Sequence, residues 1–159
     1  MCRLLVDTMV WNYVAKAHVL AEFVESLRSV PAVTPLVIGE LEEAVGEWPE
    51  LSDVLDAAVT GTLESIELDN AEHCLLIELR RKHGGLSETD CSLLALAVSR
   101  GWQIVTCERS LRNAARRHGA AVRELTDLVN EAVASKHMSL ADKEWITYSS
   151  RGGTQRRVP

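Results

Sequence analysis

Four acids stand out from the rest of this chain by their surroundings. Asp7 ends the apolar run Leu4-Leu5-Val6 and is followed by Thr8, and Glu108 ends a second run, Ile104-Val105-Thr106-Cys107. Asp90 follows Ser87 by three residues at the head of Cys91-Ser-Leu-Leu-Ala-Leu-Ala-Val, and Glu40 sits between Leu36 and Ala44 in helical spacing. Carboxylates gathered in one crevice repel one another, and divalent cations relieve that repulsion; oxygen-only ligands select hard ions such as Mg²⁺ or Mn²⁺. Such a carboxylate-held ion, or pair of ions, suits phosphodiester hydrolysis, in which water attacks in line and the leaving oxygen needs stabilising. Competing chemistries lack their parts. No Gly-x-Ser-x-Gly and no Gly-rich phosphate loop with Lys is present, and Asp7-Thr8-Met9 lacks the second aspartate of a phospho-acceptor start. The five histidines, His18, His73, His83, His118 and His137, fall mostly near helix ends, where a structural role is the ordinary one.

The elements that must position these acids follow from the same residues. Ser87 with Asp90 makes a capping box and Gly101 is a helix stop, so the pattern predicts a helix over 88–100 and a buried parallel strand over 102–106. On that helix Asp90 shares a face with Leu93, Leu94 and Ala97, and therefore points inward, whereas Glu88 points the other way. Residues 3–8 read as a first strand, and Asp7 before Thr8 also suits a helix cap. Helical segments are expected over 10–17, 19–27, 35–45, 47–59, 69–83, 108–118 and 126–136, with strands near 32–34, 62–68 and 120–125. Glu42 and Glu43 project away from the apolar side of the 35–45 helix, and Glu40 lies at its margin. Strands alternating with helices predict an α/β fold with a mainly parallel sheet, whose carboxyl edge collects residues distant in sequence. The folded domain is expected to span 1–137, with 138–159 a partly disordered extension that turns polar from Ser149.

Composition fits one globular domain: 159 residues, 47% hydrophobic and 25% charged, with only 4% aromatic, so aliphatic residues must fill the core. No apolar run reaches transmembrane length and no leader pattern opens the chain, which predicts a cytoplasmic protein that does not engage membrane. Cys2, Cys74, Cys91 and Cys107 form no C-x-x-C pair and are expected to be buried, reduced thiols. The net charge of −6 disfavours indiscriminate nucleic-acid binding, yet the stretch from Arg109 to Arg123 holds five arginines and no acid. Within it, Arg109, Arg112 and Arg116 are the candidate phosphate-contacting residues.

These segments resemble a known family. Leu4-Leu5-Val6-Asp7-Thr8, Thr34 through Glu40-Leu41, Thr89-Asp90 through Ala97, and Ile104 through Leu111 look like the four acidic blocks of PIN-domain proteins, with the VapC-like toxins as the nearest subgroup. The resemblance covers residues 3–130. It implies a Rossmann-like three-layer α/β/α sandwich, Mg²⁺- or Mn²⁺-dependent endoribonuclease activity, homodimers, and an antitoxin partner that obstructs the site. By position, Asp7, Glu40, Asp90 and Glu108 would be the metal-site acids, and Thr106 the hydroxyl that positions the last of them or a water. Two positions depart from the family pattern: Met9 stands where PIN domains commonly carry Asn, and Glu108 is one methylene longer than the usual Asp. The alternative is a PIN-fold RNA-binding or scaffold protein with a weakened site.

Overall fold

A computed structural model of the chain describes residues 2–153. Its centre is a five-stranded, wholly parallel sheet in the order β3-β2-β1-β4-β5, formed by β1 (Leu4–Val6), β2 (Pro31–Val33), β3 (Glu64–Ser65), β4 (Gln103–Thr106) and β5 (Val122–Glu124). β1 and β4 lie inside the sheet and are covered on both faces, so they read as unbroken apolar runs rather than alternating ones. Strand order reverses between β1 and β4. Chain leaving β1 moves one way across the sheet, and chain returning to β4 moves the other, which opens a crevice at their carboxyl ends.

Helices cover both faces. Right-handed crossovers put those following β1 and β2 on one side: α1 (Thr8–Lys16), α2 (Leu20–Ser26), α3 (Pro35–Ala44) and α4 (Ser52–Val59). Those following β3 and β4 lie on the other: α5 (Asn70–Lys82), α6 (Glu88–Arg100) and α7 (Arg109–Arg117). After β5, α8 (Leu125–Ala134) packs on α2, and α9 (Leu140–Ser150) packs on α8 and α1. The result is the expected three-layer α/β/α sandwich.

α6 is the most buried helix. Both halves of the Ser87/Asp90 capping box form, Gly101 closes the helix at φ 67°, and Thr89 through Ala97 lie buried apart from half-exposed Asp90. α5 is capped by Asp69 and Glu72, and packs along α6. The buried Glu72 also receives Arg100 from the end of α6, Nε to Oε1 at 2.7 Å and Nη2 to Oε2 at 2.8 Å.

Three expectations need correction. The helix expected over 47–59 begins as a 3-10 turn, Pro49–Leu51, because Pro49 has no N–H to continue a ladder. The 62–68 strand shrinks to Glu64–Ser65, an edge strand with little apolar content. Of the cysteines, all free, Cys91 is buried and Cys107 half-buried, but Cys2 and Cys74 are exposed, since they lie ahead of β1 and on the outer face of α5. In the 138–159 extension, Ser139 and Asp142 form a capping box for α9, and Ile146 is buried. Ser149 and Ser150 belong to that helix; the expected polar tail beyond residue 153 lies outside the described residues.

Candidate metal centre

The register of the two central strands sets the site. Val6 pairs with Val105, so Asp7 and Thr106 emerge side by side at the carboxyl edge, and the Asp7 N–H donates to the Val105 carbonyl at 3.1 Å. The Thr106 hydroxyl then does two things. It donates to Asp7 Oδ2 at 2.6 Å and accepts the Glu108 N–H at 3.0 Å, which links the first and last acids through one buried oxygen. The other Asp7 oxygen accepts the Met9 N–H at 2.9 Å, so Asp7 caps α1 while its side chain lines the crevice; the capping role and the site role coexist.

α6 crosses beneath the same edge and delivers Asp90 from its first turn, where Oδ2 accepts the Ser87 N–H at 3.3 Å. Asp7, Asp90 and Glu108 come together: one carboxylate oxygen from each lies within 4.8 Å of the other two. Glu40, from the middle of α3, is not part of that triplet. Both of its oxygens are held by hydroxyls instead, Oε1 by Thr89 at 2.7 Å and Oε2 by Thr8. Thr8 directly follows Asp7 and Thr89 directly precedes Asp90, so the fourth acid is tied to the immediate neighbours of two others. Sequence reasoning did not assign these threonines a role. Their signal was a hydroxyl adjacent to an acid at two separate positions.

The electrostatics are those of a site with surplus negative charge. Burial lifts the Asp7 carboxyl above its ordinary range, against the Thr106 and Met9 hydrogen bonds, and Asp90 and Glu40 push it further. Asp90 is raised by burial and by Glu40, against the stabilising bonds from Ser87. Glu108 is pushed up to about 7, by burial first and then by Asp7, Asp90 and Glu40. Cys107, between Thr106 and Glu108, is pushed up to about 12 by burial and then by Asp7 and Glu108, so its thiol keeps its proton and the donor set stays oxygen-only. Three convergent carboxylates whose ionisation is opposed fit a hard divalent cation such as Mg²⁺ or Mn²⁺.

The arginines divide. On α7, Arg112 is held by Glu124 at 3.0 Å, and beyond the helix Arg123 is held by Glu131. Arg109 and Arg116 are exposed, with no ion pair among the described residues. Of the three arginines expected to meet phosphate, two present an uncommitted charge.

A family model described as PIN domain matches residues 4–117. No curated protein matches the chain. Among solved structures, the fold is similar to that of a chain in the crystal structure of VapBC2 from Rickettsia felis bound to a DNA fragment from their promoter, with a TM-score of 0.60 over 77% of this chain and 98% of that one. Identity there is 16%, so the likeness is one of fold.

Proposed function

We propose that this chain, which belongs to the PIN-domain family, is a Mg²⁺- or Mn²⁺-dependent endoribonuclease and the toxin-like member of a toxin–antitoxin pair. The observation that carries the proposal is the convergence of Asp7, Asp90 and Glu108 at the strand-order reversal, with an excess of negative charge that a divalent cation would relieve. Asp7, Asp90 and Glu108 would hold the ion, with Glu40 beside them. When bound there, the ion supplies the positive charge that favours a hydroxide nucleophile and stabilises the leaving oxygen of a phosphodiester.

This chain's own residues do the positioning. Thr106 fixes the Asp7 carboxylate and the backbone of Glu108 at once, and Thr8 and Thr89 orient Glu40, so the four acids keep their geometry against mutual repulsion. Glu108 is raised by burial and by the crowding of acids, and it is this crowding that a bound ion would relieve. Arg109 and Arg116, at either end of α7, offer charge to the phosphates of an RNA strand.

The partners belong to the same proposal. The R. felis structure is of a VapBC complex, which supports an antitoxin for this chain as well; the same reading pairs the chain with a second copy of itself. Among the described residues no helix is long and apolar enough to cross a membrane, in keeping with a cytoplasmic nuclease.

A PIN-fold protein that binds RNA without cutting it is the alternative, favoured by Met9. Its sulfur takes the Asn12 amide at 3.6 Å and offers no hydrogen bond to the crevice, although its backbone N–H still serves Asp7. Cleavage of labelled RNA across a Mn²⁺ titration separates the two. The nuclease cuts, and Asp90→Asn stops it; in calorimetry, Asp7→Asn and Asp90→Asn each lose metal binding while the metal-free proteins melt no lower than wild type. Unchanged metal affinity in both variants, or cutting that survives Asp90→Asn, refutes the assignment. RNA binding without cutting selects the alternative.

A further inference from the structure

Outside the metal centre, the most specific chemistry lies in a cleft between α7 and the turn that joins α5 to α6. A cavity of about 210 Å³ is walled on one side by His83 and Gly85, and on the other by Ser110, Asn113 and Arg117. Ser110, Asn113 and Arg117 are spaced three and four residues apart, so they form one face of α7. No acid lines the cleft, in a chain whose net charge is −6. Arg117 is exposed and has no ion pair among the described residues, unlike Arg112, which Glu124 holds.

The walls are also joined. His83 ends α5 and His118 ends α7, and their Nε2 atoms meet at 2.8 Å with the rings edge to face, one imidazole donating and the other accepting. That link holds the α5–α6 turn against the far end of α7 and keeps the cleft open without a ligand. Leu86 and Ala114 form its apolar floor, and its polar lining is a guanidinium, a carboxamide and a hydroxyl, beside a backbone turn bare of side chain at Gly85. These are donors for an anion with several acceptor oxygens.

We propose that this cleft seats a backbone phosphate of the RNA strand, and this rests on the ribonuclease reading above. α7 starts directly after Glu108, so its Ser110–Asn113–Arg117 face runs outward from the metal centre as a track. Arg117 lies nine residues beyond Glu108. That is about 13 Å along the helix axis at about 1.5 Å per residue, farther than a single nucleotide reaches from the metal centre. The cleft therefore engages a phosphate away from the scissile bond and contributes affinity without reading bases. The cleft adds to the charge of Arg109 and Arg116 a contact on the side of α7 that faces the α5–α6 turn, away from Arg112, which Glu124 holds.

The test is fluorescence anisotropy in metal-free buffer, so that the strand stays intact, with single-stranded RNAs of about three and about eight nucleotides. Wild type binds the longer strand more tightly. Arg117→Gln weakens that binding about tenfold whatever the base sequence, lowers the slope of log affinity against log salt by about one, and removes most of the gain from lengthening. Asn113→Ala weakens it in the same length-dependent way, and Arg28→Gln, on the connection between α2 and β2, leaves it unchanged. If wild type binds the longer RNA and Arg117→Gln matches it in affinity and salt slope, the cleft assignment falls while the ribonuclease reading stands. If wild type binds neither RNA here but cuts the longer one once Mn²⁺ is added, the cleft assignment alone falls; if it neither binds nor, with Mn²⁺, cuts, both fall.

Discussion

The three converging acids make the metal-free protein more stable in mild acid than in base, the reverse of what salt-bridged carboxylates do. Glu108 carries the main effect. Its ordinary value is 4.5 and the crevice raises it to about 7. A carboxyl raised on folding contributes stability that is fully present below the unfolded value and is lost as pH rises through the folded one. The window is therefore about pH 4.5 to 7, with Asp7 and Asp90 shifted in the same direction. The full Glu108 shift corresponds to about 3 kcal/mol at about 1.4 kcal/mol per unit, and water at the mouth of this half-buried site screens it to about 1–2 kcal/mol. By pH 5.5 roughly 60% of that is expressed, which for a domain of this size is a rise of about 1–5 °C in melting temperature from pH 8. The assay is urea or thermal unfolding in the presence of a chelator at both pH values. Glu108→Gln removes the charge without removing the bulk. It should melt higher than wild type at pH 8 and keep only the smaller slope that Asp7 and Asp90 supply, and Mn²⁺ should stabilise wild type at pH 8 by the mass action of binding. A wild-type protein that loses stability from pH 8 to pH 5.5 in chelator, or a Glu108→Gln slope equal to the wild-type slope, refutes the reasoning.

Two further outcomes test the supports of the site. Thr106→Val removes the hydroxyl that serves both Asp7 and the Glu108 backbone, and should lower metal affinity about 10–100-fold by calorimetry, with a fold loss of about 1–3 kcal/mol; affinity within twofold of wild type would deny Thr106 its positioning role. Arg100→Ala strips Glu72 of its bidentate partner, so it should cost about 1–2 kcal/mol in denaturant unfolding at pH 7, because water reaches the carboxylate once the partly exposed guanidinium is gone, and Arg100→Ala with Glu72→Gln together should recover part of that loss. Arg100 holds Glu72 down at about 2, so this pair's contribution is present above the unfolded value of 4.5 and is lost as pH falls toward 2, below the window in which Glu108 acts.

The fold was legible where single residues carry unambiguous geometry. Ser87, Asp90 and Gly101 bound α6 at both ends, and the apolar runs before Asp7 and Glu108 mark the two central strands. The meeting of Asp7 and Glu108 comes from β4 lying beside β1 in the sheet, whereas Asp90 is delivered to them by the first turn of α6. Glu40 was less legible. Its place on the margin of α3 was visible, but which groups would hold it depends on a contact between α3 and α6 that no local pattern encodes. The pairing of Arg112 with Glu124 was hidden for the same reason: the stretch without acids stops at Arg123, and the partner is the next residue, folded back across the end of β5. α9 was obscured by composition, because a helix with few buried positions has little periodicity to read, and only its Ser139/Asp142 cap announces it.

Three of the four acids stand at helix ends, and the fourth is held by hydroxyls instead. Asp7 caps α1, Asp90 sits in the first turn of α6, and Glu108 holds the N-cap position of α7, so three helix N-termini point into one crevice. Each amino end carries roughly half a positive charge, together about +1.5, against four carboxylates. The dipoles make the cluster tolerable but leave more than two negative charges uncompensated, and all three of these acids are still raised above their ordinary range. A divalent cation closes most of that gap, and a monovalent side chain would not. Glu40 comes from the middle of α3 and receives nothing from a helix end. Thr8 and Thr89 take the place of that missing dipole, and because each is bonded in sequence to one of the acids, Glu40 is tied to the backbone that carries Asp7 and Asp90.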